Sequence, residues 1–202
     1  MKSYLYVGVF CLAANAATFT AEAQNIGPVA VKTNLLYDAT TTPNIGLEIS
    51  TCEKQTAQIF YGLNAWSFAD GKRAKHWMLM PEYRWWMCSR MNGHFVGVHA
   101  FGGEFSAANV NLPVPGVFFA GDNLRSQLRD NRYEGQFLGA GFTYGYQWIL
   151  SRHWNLEAEA GLGYAHVWYD KYPCSECGYL MKSGGTNYVG LTKLGLSLMY
   201  VF

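Results

Sequence analysis

The chain has 202 residues, of which 50% are hydrophobic, 16% are aromatic and 22 are glycine, and its formal net charge is +1. So small a charge gives no electrostatic footing on a phosphate backbone, and nucleic acid is not expected as a partner. The length allows one compact domain.

The first segment reads as a targeting signal. Lys2 supplies a positive start, Tyr4 to Ala17 is apolar apart from Asn15, and Ala21-Glu22-Ala23 has the small-x-small pattern of a signal-peptidase site. Residues 1–23 are therefore expected to be a cleaved signal peptide, with the mature domain spanning 24–202. A spanning helix needs about 20 apolar residues, more than this run holds. Cys11 lies in a poor context for a lipoprotein site, so no lipid anchor is expected.

Beyond the leader the hydrophobic pattern has a period of two, which is the signature of strands. Eight segments follow in order: 29–38, 44–50, 56–66, 77–87, 95–105, 136–149, 155–167 and 188–202. The connections at 51–55, 88–94 and 151–154 are short. Those at 67–76, 106–135 and 168–187 are long, and 40–43 is a tight exception. The alternation of short and long connections matches short periplasmic turns and longer external loops.

The charges fall on one parity. In the first strand Val29, Val31, Leu35 and Tyr37 oppose Lys32, Asn34 and Asp38. In the second, Ile45, Leu47 and Ile49 oppose Glu48; in the fourth, Leu79, Pro81, Tyr83 and Trp85 oppose Glu82 and Arg84. The seventh sets Leu156, Ala158, Ala160, Leu162 and Tyr164 against Glu157, Glu159, Gly161 and Gly163. The last sets Tyr188, Leu194, Leu196, Leu198, Tyr200 and Phe202 against Lys193, Gly195 and Ser197. A soluble sandwich would give its polar face to water and fill it with Lys, Glu, Ser and Thr. Here that face holds glycines and isolated charges, while the other is rich in Tyr, Trp and Phe. The pattern predicts an all-β fold: an eight-stranded antiparallel up-and-down transmembrane β-barrel, with lipid outside and a narrow lumen inside. Its partners would be outer-membrane lipid and the outer-membrane assembly machinery. The terminal aromatics Tyr200 and Phe202 resemble the signal that this machinery reads.

The predicted lumen collects Lys32, Asp38, Glu48, Glu82, Arg84, Glu157, Glu159 and Lys193, with His99 and Glu104 expected to join. Two readings follow: an ion or proton path, or a buried salt-bridge network. An eight-stranded barrel is only just wide enough for its own side chains, and unpaired buried charges are costly, which favours the network.

Cys174 and Cys177 lie in the last long connection. They are candidates for a local disulfide in an oxidising compartment; half a zinc site or a redox pair are the alternatives. Cys52 and Cys88 sit in successive short turns, as free thiols or a second bridge. Loop 106–135 contains an apolar stretch with Phe118 and Phe119, then Arg125, Arg129 and Arg132. It could contact a partner or lipopolysaccharide headgroups, or fold over the barrel mouth. His76, His99 and His166 lack an evident nucleophile partner, so no catalytic residue and no cofactor is expected, and an enzyme is the least favoured class.

Several pieces together resemble a known family: Lys32 to Asp38, Pro43 to Glu48, Pro81 to Trp86, Arg132 to Gly135, Gly145 to Trp148, Trp154 to Ala158, Gly161 to Tyr164 and Tyr169 to Cys174. They are similar to a Bacteroidota outer-membrane family catalogued as domain of unknown function 3575. The resemblance covers nearly all of the mature chain. It implies a cell-envelope role, since such proteins are often encoded near surface-fimbria components, and it implies no chemistry. The sequence therefore leads to two functional expectations: a structural or surface-interaction barrel with an envelope or surface protein partner, or a small pore or transporter.

Overall fold

A computed structural model of the chain describes residues 28–66, 73–108, 116–118, 131–173 and 178–202. The leader at 1–23, Phe119, Arg125, Arg129, Cys174 and Cys177 lie outside the described residues. Among the described residues nine strands and one short helix occur in the order β1 (Val29–Asn34), α1 (Leu35–Ala39), β2 (Asn44–Cys52), β3 (Gln55–Asn64), β4 (Arg73–Trp86), β5 (Gly93–Ala108), β6 (Gly116–Phe118), β7 (Arg132–Ile149), β8 (Trp154–Tyr172) and β9 (Lys182–Val201). Among the described residues no helix is long and apolar enough to cross a membrane.

Eight strands pair antiparallel with their sequence neighbours, β1-β2-β3-β4-β5-β7-β8-β9, and β1 also pairs with β9. The sheet is thereby an up-and-down ring. The short connections, and the chain's residues 28 and 202, lie at one end, called here the turn end. The strand ends that flank the longer connections lie at the other, the loop end. The strands flanking the long connections extend further than their hydrophobic pattern indicates: β8 and β9 run to 19 and 20 residues. The extra residues of β9 are polar or small and those of β8 mix aromatics with Asp170 and Lys171, yet antiparallel neighbours satisfy the backbone, and the ladder continues to Lys171↔Lys182.

Two departures from strict alternation occur on either side of the β1–β9 junction. The first strand does not continue to residue 38. It ends at Asn34, whose side chain caps α1 by accepting a hydrogen bond from Leu36 N at 3.1 Å. The turn is then knotted by Asp38, which accepts from Thr33 Oγ1 at 2.7 Å and from Asn44 Nδ2 at 2.9 Å. Asp38 is thus exposed at the loop end and does not belong to the interior network predicted for it. Tyr37 takes the inward place and meets Phe60 edge-on, with ring centroids 5.5 Å apart.

The second departure is a bulge in β9. Gly161 pairs with Lys193 but Leu162 pairs with Leu191, leaving Thr192 extra. One inserted residue exchanges the two faces of a strand. Below the bulge Lys193, Ser197 and Met199 are buried inside; above it Thr186 and Tyr188 are. Tyr188 therefore faces inward, not outward with Leu194 and Leu196.

The interior is filled in layers. At the turn end Ala30, Trp86, Met91, Phe95 and Met199 form one apolar cluster. Towards the loop end Phe60, Met78, Met80, Phe101, Ala165 and Tyr188 form another, with Tyr37 and Phe137 against it, and Ala107, Tyr133 and Tyr169 form a third. The charges lie between the first two. Outside, the exposed large side chains include Ile45, Leu47, Ile59, Leu79, Val98, Leu138, Phe142, Leu162 and Leu194.

Candidate functional site: a charged layer inside the ring

Alternation alone brings the charged residues of β1, β2, β4, β8 and β9 to the inner face, and ring closure makes them meet. Arg84 is at the centre and is fully buried. Its Nη1 donates to Glu48 Oε2 at 3.0 Å and to Glu157 Oε2 at 2.8 Å. Lys32 Nζ closes that half, bonding the same two residues at 3.2 and 2.7 Å. On the other half Arg84 Nη2 donates to Glu82 Oε2 at 3.0 Å and Glu159 Oε2 at 2.7 Å. Lys193 Nζ again contacts both carboxylates, at 2.9 Å for Glu159 and in a short contact with Glu82. Two carboxylate pairs are thus clamped, each between one edge of the guanidinium and one lysine. A planar fork with donors on both edges suits this role, which a lysine at position 84 could not fill.

The surroundings complete the frame. Thr56 Oγ1 donates to Glu48 Oε1 at 2.6 Å while accepting from Trp86 Nε1 at 3.0 Å. The guanidinium carbon of Arg84 stands 4.4 Å from the centre of the Phe95 ring, a cation–π contact. His99 bridges two threonines, with Nδ1 2.8 Å from Thr143 Oγ1 and Nε2 2.9 Å from the bulge residue's Oγ1, that of Thr192. Inward glycines make room for the long side chains. A Cβ on Gly97 would come within 2.6 Å of Glu82 Oε1, and one on Gly195 within 2.8 Å of Glu159 Oε1. Gln58, opposite Glu48 on one side and Glu82 on the other, is buried and makes no hydrogen bond to a described residue.

Seven of the eight residues predicted for the interior network are brought together; Asp38 is not. His99 is inside as expected. Glu104 is not: it lies exposed on the outer face and accepts from Trp77 Nε1 at 3.1 Å. Sequence reasoning missed Thr56, Trp86, Thr192 and Tyr37. The first two had a signal in their inward parity; the last two had none, because a bulge and a helix moved them.

The remaining candidates are scattered. Cys52 and Cys88 are exposed free thiols. His166, the histidine nearest in sequence to Cys174 and Cys177, has Nδ1 2.6 Å from Asn187 Oδ1 and its ring against Trp168. Phe118 belongs to β6 and pairs with Tyr188 of β9. Arg132 lies over the Tyr172 ring at 4.6 Å and contacts Glu134 at 3.4 Å. At the turn end Tyr200 packs between Trp154 and Phe202, at 5.2 and 5.0 Å, and Phe202 N donates to Val29 O at 2.9 Å.

These features define an all-β protein whose eight antiparallel strands form an up-and-down ring around a clamped charge cluster. Residues 8–202 match the family described as "Protein of unknown function (DUF3575)", and the chain belongs to that family. No curated protein matches the chain.

Proposed function

We propose that this protein is a transmembrane β-barrel of a Gram-negative outer membrane, of the Bacteroidota type that the family resemblance implies. Its leader at 1–23 is cleaved on export, and its role is structural or interactive at the cell surface rather than conductive. The observation that carries the reading is the sorting of side chains between the two faces. From Trp77 to Trp85 on β4, from Leu138 to Trp148 on β7 and from Trp154 to Tyr164 on β8, the outward residues bear no charge. The ten residue-to-residue steps from Trp154 to Tyr164 span about 33 Å along the strand, or about 25 Å at a tilt of about 40°, the height of a bilayer's apolar band. Lipid thus explains an outer surface that water would not favour.

The filled interior supports an interaction role over a pore. Arg84, Glu48 and Glu157 are clamped across the lumen, with apolar layers on both sides, and a clamped, desolvated charge layer opposes ion flow. What remains for function is the loop end, serving an envelope or fimbria-related assembly.

Two measurements test the reading. Mature protein is expected in the outer-membrane fraction, with heat-modifiable gel migration; recovery in the soluble periplasm refutes the membrane assignment. In planar bilayers the purified protein is expected to give no steady conductance at neutral pH. Reproducible single-channel steps would make it a pore.

A further inference from the structure

The ladder between β4 and β5 is interrupted in mid-wall. Its pairs run from Arg73↔Ala108 to Leu79↔Gly102 and resume, in the same register, at Glu82↔His99. Met80 and Pro81 on one strand, and Ala100 and Phe101 on the other, are left unpaired. No residue is inserted, so the gap is not a bulge. The flanking ladders are whole: β3–β4 runs unbroken from Gln55↔Trp85 to Asn64↔His76, and β5–β7 from Gly93↔Gln147 to Ala108↔Arg132.

The cause is Pro81, which has no N–H. Its pair with Ile59 on β3 is intact, so the missing donor belongs to the β5 side. In an antiparallel ladder the N–H and C=O of one residue address the same neighbouring strand. The acceptor left without its ladder partner is therefore the carbonyl of Ala100. By the same rule Ala100 and Gly102 address β4, while His99 and Phe101 address β7.

The place of this proline is unusual. Prolines in sheets are confined to edge strands, and a closed ring has no edge. Pro81 also stands midway between Trp77 and Trp85, at the centre of the uncharged outward belt of β4. In hydrocarbon no water replaces a lost backbone partner, so the orphan carbonyl is costly in the closed wall. The neighbouring residues weaken the seam further. Gly102 and Gly103 follow on β5, and a Cβ on Gly103 would come within 2.0 Å of Trp77 O. Outside, Ala100 and Gly102 lay little side chain over the seam. Inside, it is covered by the buried side chains of Met80 and Phe101, and Glu82 and His99 form the next pair towards the turn end.

We propose that the β4–β5 seam at Pro81 is a lateral opening point of the wall. The strands part over residues 79–82 and 99–102, and water enters to bond the Ala100 carbonyl and to reach Glu82 and His99 of the charged layer. Opening relieves the orphan acceptor, which closing strands again, so the proline holds the two states close in free energy. The inference rests on the membrane reading, because only lipid makes the closed carbonyl costly.

The test is residue-resolved amide exchange, read by NMR, on the full mature chain folded in detergent. The amides of Ala100 and Gly102 are expected to exchange at least about tenfold faster than those of His99 and Phe101, which lie at the same height on the same strand. Pro81→Val restores the donor and keeps an apolar side chain outward; it is expected to abolish the difference. A second readout follows water itself. Met80→Cys is introduced in a chain whose Cys52, Cys88, Cys174 and Cys177 are changed to Ser. A charged, water-soluble thiol reagent is expected to label the introduced thiol at least about tenfold faster with Pro81 present than with Pro81→Val. Equal exchange at the four amides, a difference that survives Pro81→Val, or labelling indifferent to Pro81→Val overturns the proposal. Outer-membrane fractionation and heat-modifiable migration report separately on the membrane reading, so the two can fail independently.

Discussion

The charged layer and the β9 junction hold the same ring in different ways. In the layer, side chains from five strands converge on one guanidinium, and each carboxylate has two cationic partners. At the junction five backbone pairs, one asparagine side chain and a three-residue strand do the work. The layer is over-determined, so a single loss there strands buried charges. The junction is assembled from separate small contacts, each removable without exposing a charge. This difference separates a part of the molecule where one change strands buried charges from a part where one change removes a small, local contact.

The largest expected effect is that of Arg84→Met. It leaves four buried carboxylates with two lysines, and removing one member of a buried ion cluster costs about 3–5 kcal/mol. Little heat-modifiable protein should accumulate, and the urea midpoint of refolded protein should fall sharply. Adding Glu157→Gln to the same chain should recover part of the loss, because it removes one stranded charge. Stability unchanged in the single variant would show that the layer does not hold the ring.

A smaller effect is expected from Asn34→Ala, which removes the cap of α1 and two bonds to β9. Cap and hydrogen-bond losses of this kind cost about 1–2 kcal/mol. Hydrogen exchange should accelerate at Leu194 to Leu196 and Leu36 while the β7–β8 ladder keeps its protection. Acceleration spread evenly over all strands would mean that the junction is no weaker than the rest.

The smallest belongs to Gln58→Leu. The amide lies within the charged layer but bonds to no described residue, so its replacement by an apolar group of similar size should change stability by less than about 1 kcal/mol, or raise it. A loss comparable to that of Arg84→Met would show that Gln58 is part of the clamp.

Much of this architecture was legible in the sequence, for a local reason. Successive side chains of a strand point to opposite faces, so Leu156 and Glu157 were sorted by parity before any fold was known. The same rule placed Lys32, Glu48, Glu82, Arg84, Glu157, Glu159 and Lys193 inside. It failed at Asp38 and Tyr188, where the strand stopped being regular: Asn34 offered its side chain to a helix, and Thr192 added one residue to β9. Glu104 was lost differently, since its even position put it on the outer face of β5.

The sequence by itself determined which residues of each regular strand share a face, because the pleat has a period of two and needs no neighbour to express it. Only the tertiary structure decided which of them meet. Arg84 and Glu157 are 73 positions apart in the chain, and they touch at 2.8 Å because closing eight strands into a ring puts β4 and β8 on opposite walls of one narrow interior.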